Sequence, residues 1–143
     1  MLLSVKELQA KIAQAEGDKA SAAAKAHAAA EAEKQAFIDR ISKPSGLTDE
    51  QISEKASHII NRAVENGLTS VQVFRYPNHL CSDNGRAIDQ NEDGWEQTLT
   101  GVPKEIFELW QRHFRDKDYR LRVEIVDFPN GMPGDVGMTL VWA

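Results

Sequence analysis

The stretch Gly67–Cys81, G-L-T-S-V-Q-V-F-R-Y-P-N-H-L-C, decides how the chain reads. A glycine stops a helix, β-branched and aromatic residues make a strand over residues 69–76, and Pro77, with no amide hydrogen to give a sheet, ends it. Val71 and Val73 alternate with Gln72, while Phe74 and Tyr76 fall in the opposite phase. Both faces therefore carry apolar groups, the mark of a central strand.

Upstream lies the best specified helix. Thr48 followed by Gln51 is a capping box, and Leu47 with Ile52 occupies the positions of a hydrophobic staple. Ile52, Ala56, Ile59, Ile60 and Ala63 recur at helical spacing, and Asn66-Gly67 supplies a left-handed stop over which Leu68 folds back. The expected span is Asp49–Glu65. Before it, K-P-S-G at 43–46 breaks the backbone. Residues 4–41 read as one long helix, with Gly17 its single glycine and ten alanines among the seventeen residues 20–36. At 1.5 Å per residue it spans about 57 Å. Its large apolar residues sit at the ends, Leu2, Val5, Leu8 and Ile12 at one and Phe37, Ile38 and Ile41 at the other, joined by an alanine-only seam. That pattern suits a coiled-coil arm or a solvated helix held at its ends. The organisation is a helical arm over 1–42, a linker over 43–46 and a globular domain over 47–143.

Downstream, residues 78–101 are irregular, with a short helical turn near Arg86–Asp89. A helix follows with Pro103 near its start, Glu105 in its first turn and Ile106, Leu109, Trp110, His113 and Phe114 as its apolar stripe. Tyr119, Leu121, Val123 and Ile125 alternate with Arg120, Arg122 and Glu124 in a second strand, and Met138, Leu140 and Trp142 mark a third after a loop rich in glycine and proline. After the arm the order is α-β-α-β-β. A helix between the first two strands favours a parallel pair. The expected fold is a two-layer α+β domain, a small mixed sheet of three to four strands with helices on one face.

The totals narrow the function. A chain of 143 residues builds one core without covalent staples. The single cysteine, Cys81, excludes an internal disulfide and a cysteine-rich zinc site, and a reducing cytoplasm fits it best. Lys6 and Glu7 interrupt the start where a signal peptide needs an apolar run, and no later run is long enough to span a membrane. Net charge is +1 over residues 1–46 and −6 over 47–143, which argues against a nucleic-acid surface.

Three constellations could carry chemistry. His79, Cys81 and Asp83 stand just beyond the first strand, with Arg86 the single cation among five acidic residues of that loop, and these types suit a soft metal or a thiolate–histidine pair. Asp89, Asn91, Asp93 and Gly94 fit the first six positions of an EF-hand loop, but Thr100 stands where the bidentate glutamate belongs. The Phe128–Gly137 loop sets Asn130 and Asp135 among glycines at 131, 134 and 137 that allow close backbone approach, yet no lysine or helix start follows to hold a phosphate. No G-x-S-x-G or H-E-x-x-H motif is present. The leading expectation is a small soluble non-enzymatic protein without cofactor, a homo-oligomer joined through the arm or an open sheet face carrying Phe74, Tyr76, Val126 and Val141 beside Arg120 and Arg122. The alternative is a metal- or small-ligand-binding domain, or an enzyme, that uses these loops and weakly holds a divalent metal.

Overall fold

The computed structural model describes residues 2–143, which divide into two compact units, one ending at Phe37 and one spanning Ile38–Ala143. The fold is α+β: a long N-terminal helix, further helices and a small three-stranded antiparallel sheet.

Helix α1 runs Val5–Ile41 without a break at Gly17. Its start is a second capping box: the Glu7 amide donates to Ser4 Oγ at 3.1 Å, and the Ser4 amide donates to the Glu7 carboxylate at 3.2 Å. Within the first unit no described side chain is buried.

The second unit begins with the last turn of α1, where Ile41 is buried. Helix α2, Asp49–Glu65, has the expected bounds and both expected caps. Thr48 Oγ1 accepts the Gln51 amide at 3.2 Å, and Gln51 Oε1 accepts the Thr48 amide at 2.9 Å. At the other end the Gly67 amide bonds the Val64 carbonyl and the Leu68 amide bonds that of Ala63, the paired closure of a Schellman motif that needs Gly67 at φ +75°.

Strand β1 is Ser70–Tyr76, followed by the short helix α3, Arg86–Asp89, and by α4, Gly101–Leu109. Helix α4 continues into a π turn over Trp110–Phe114, where the Arg115 amide reaches back to the Trp110 carbonyl. That wide turn keeps Leu109 and Phe114 buried but swings His113 off the apolar stripe where the sequence placed it. His113 Nε2 instead lies 2.9 Å from Asp49 Oδ2, while Arg112 forks onto both oxygens of the same carboxylate. Arg112 first, then His113, hold the Asp49 carboxyl below its ordinary range, and together they tie the first turn of α2 to the end of α4.

Strands β2, Arg120–Ile125, and β3, Val136–Val141, complete the sheet in the order β1-β3-β2. Both contacts of β3 are antiparallel. Strands β1 and β2 are therefore mutually parallel, as the intervening helix suggests, but β3 lies between them and no parallel ladder forms. The central strand is β3, not β1. A hairpin partner pairs at once with its neighbour, so β3 fills the slot beside β2 that a crossover strand would have taken. Central placement also explains why β3 is buried on both faces as far as Leu140.

A second correction lies in β1. The register jumps between Gln72 and Phe74, so Val73 is an extra residue in a bulge. The jump resets the alternation: Val71, Phe74 and Tyr76 stand opposite Leu140, Met138 and Val136 on the same face. That face meets the helices, with Ile60, Leu109, Phe114 and Leu140 at the heart of the core and Val71, Val73, Tyr119 and Leu121 packed against them. The outer face carries Gln72, Arg75, Arg122 and Glu124, all exposed, around a buried Thr139. Phe74 and Tyr76 thus do not join Val126 and Val141 on the open face, and the apolar patch expected there is absent.

Candidate functional site

The turn after β1 brings its polar residues together for structural ends. Asp83 accepts the amides of Gly85 at 3.0 Å and Ala87 at 2.9 Å and so closes the start of α3. Gly85, at φ +81°, lies against Asn78 and Ile125 and lets that turn sit close on the sheet. Ala87 and Ile88 are buried behind it. Cys81 is 2% exposed, whereas His79 two residues earlier is exposed and its side chain has no hydrogen-bond partner among the described residues. A thiolate–histidine pair needs both groups in one environment, and the chain separates them.

The Cys81 thiol faces the Tyr76 hydroxyl at 3.9 Å in the core. Burial pushes the Cys81 thiol above its ordinary value, and burial followed by the neighbouring Cys81 pushes the Tyr76 phenol up strongly. Neither is a nucleophile near neutral pH. Both raised values act in the same direction on stability. The unfolded chain starts to lose these protons near 9.0 for the thiol and 10.0 for the phenol, while the folded chain keeps them. Stability is therefore full below about pH 9 and falls as pH rises, by up to about 1.4 kcal/mol per pH unit for each group. Urea midpoints measured from neutral to alkaline pH should decline, and Cys81→Ala should delay the onset. An onset unchanged in that variant would contradict the buried, protonated thiol.

The remaining residues are also spoken for or dispersed. Arg86 pairs with Glu92 at 3.5 Å. Asp89 ends α3, Asn91 turns the chain at φ +53°, and Asp89, Asn91 and Asp93 are all exposed. Among the described residues no three His, Cys, Asp or Glu side chains come together as a metal-holding group. In the β2–β3 connection Asp135 is held by Arg75 Nε at 2.9 Å, and the other arm of that guanidinium reaches Asp127 at 3.2 Å. Asp127 also accepts the Asp135 amide, so the loop is a clamped hairpin end. Asn130 is exposed on it in a left-handed turn, φ +54°. The two loops do touch, through Asn78, whose amide group donates to the carbonyls of Asn84 at 3.0 Å and Pro133 at 3.1 Å. That contact fixes the loops without gathering reactive side chains.

Two features lie elsewhere. In the second unit a cavity of about 260 Å³ opens between α2 and α4, with Val73, Phe74 and Leu140 as its floor. In the first unit Leu2, Val5, Leu8 and Ile12 are 97%, 70%, 46% and 59% exposed. The cavity escapes sequence reading because its walls are ordinary amphipathic stripes; the signal that could have revealed it is Lys55, set among Ile52, Ala56 and Ile59 on an otherwise apolar face. Comparison with protein families, curated proteins and solved structures found no match. Among the described residues no helix is long and apolar enough to cross a membrane.

Proposed function

We propose that this is a non-enzymatic, self-associating protein whose N-terminal helix pairs with the same helix of a second copy. The observation that carries the reading is the run of large exposed apolar side chains, Leu2 just before the cap and Val5, Leu8 and Ile12 on a helix that is capped at its start and continuous to Ile41. Val5, Leu8, Ile12 and Ala15 alternate at spacings of three and four, the seam of a two-stranded coil. The same spacing passes through Lys19, a charged interruption, and then through Ala22, Ala26 and Ala29, whose side chains are small enough for close approach. Each large side chain gains about 1.5–3 kcal/mol on full burial, which a partner helix supplies in part. The open sheet face offers less, because its exposed side chains are polar or charged. A single buried thiol agrees with a reducing, cytoplasmic setting.

Pairing links helix content to concentration. The helical ellipticity of the full chain should fall on dilution, while the near-ultraviolet signal of the tryptophans, all in the second unit, stays constant. Ellipticity independent of concentration over several decades would count against the proposal.

A further inference from the structure

The second unit contains a cavity that its own side chains leave unfilled. Helix α2 contributes Ile52, Ala56 and Ile59 to one wall, and α4 contributes Val102, Ile106 and Leu109 to the other. Each set follows the spacing of one helix face, and the gap opens between them beside the core where Ile60 of α2 and Leu109 of α4 meet. Ile59 shows the result: it stands on the apolar face of α2, beside buried Ile60 and Ala63, and is still 37% exposed.

The polar groups around this gap are three, and they are unequal. The Ser45 amide donates to one oxygen of the Glu105 carboxylate at 2.9 Å and the Ser45 hydroxyl to the other at 2.8 Å. Ser45 and Glu105 thereby satisfy each other and fix the 43–46 segment as a rim. Lys55 also lines the cavity, and among the described residues its ammonium has no ion-pair partner. An apolar chamber with one unmatched cation at its edge complements a molecule with a hydrocarbon body and an anionic head.

We infer that this cavity is a binding site for a small amphipathic carboxylate, with the chain between α2 and α4 and the head group on Lys55. The site is separate from the helix pairing proposed above and does not depend on it. Its volume of about 260 Å³ suits a short hydrocarbon chain rather than a large ligand.

The test is titration of the full chain with octanoate, 1-octanol and octylamine, each kept below its micelle-forming concentration. The methyl resonances of Ile52, Ile59 and Ile106 report on the site. Octanoate is expected to shift these three methyls saturably, one molecule per chain, and to bind more tightly than octanol and octylamine. Lys55→Gln should weaken octanoate about fivefold, the worth of a partly exposed ion pair, and leave octanol within about twofold. Lys55 is exposed, so this variant leaves the core intact. Failure of all three probes to shift the methyls would overturn the site. Equal affinity for the three probes, or octanoate binding indifferent to Lys55→Gln, would overturn the assigned head group. Preference for octylamine would do the same and transfer the role to Glu105.

Discussion

Replacing Gly101 by alanine should lower the stability of the Ile38–Ala143 unit by about 3 kcal/mol, among the largest losses available to a single methyl group here. Gly101 opens α4 at φ +59°, a conformation that costs any residue with a Cβ about 1–2 kcal/mol. The rest of the loss is steric. A Cβ at this position overlaps the Ile41 carbonyl oxygen and stands 2.8 Å from the Ser42 carbonyl carbon. Both are main-chain atoms at the end of α1, and no rotamer change moves them aside. Gly94 is the control: its φ is +83°, but nothing lies within 4 Å of the added Cβ. Gly94→Ala should therefore pay only the backbone cost, about 1 kcal/mol. Urea unfolding of both variants separates the two contributions, and equal losses would show that the start of α4 does not press on the end of α1.

The second large effect belongs to Tyr76. Its side chain is 1% exposed, stacked on Phe74 at 6.0 Å between ring centres and opposite Val136 in the register. Tyr76→Ala should cost about 3–5 kcal/mol, the range for emptying a buried aromatic site. Arg75→Ala, one residue away, should cost no more than about 1 kcal/mol despite its contacts with Asp127 and Asp135, because all three side chains are substantially exposed. This contrast probes the bulge at Val73. Without it, strict alternation from Val71 and Val73 would send Arg75 inward and Tyr76 out. Thermal or urea unfolding decides between them, and comparable losses at the two positions would contradict the observed register.

These two positions also show where sequence reasoning stops. Helix α2 was legible to the residue because its signals are local: Thr48 with Gln51, Leu47 with Ile52, and Asn66-Gly67 all act within one turn of the chain. The short turn at Arg86–Asp89 and the alternation of β2 were legible for the same reason. The bulge was not, since it depends on how β1 meets β3, some sixty residues away, and a period of two counts through it unaware. Strand order failed likewise. Gly137 fits the central place of β3, since an added Cβ would meet Val126 on one side and Gln72 on the other, but those neighbours appear only once the sheet is assembled.

The polar residues of the candidate sites serve the local fold for a chemical reason. Asp83, Asp127 and Asp135 are residue types that ligands favour, but they also bond nearby amides and turn the chain, and in the structure they do so. Sequence spacing does not distinguish the two uses. The cavity went unread because Val102, Ile106 and Leu109 look like any core-facing stripe until the opposing helix is seen not to fill the space.

Joining of two copies through the N-terminal helix is tested by sedimentation equilibrium on the full chain over a wide range of concentration. The mass should rise to a multiple of the 15.9 kDa chain, and Leu8→Gln with Ile12→Gln, two exposed positions outside the second unit, should return it to 15.9 kDa without changing the melting of that unit. A mass of 15.9 kDa for the unaltered chain at every concentration would contradict it.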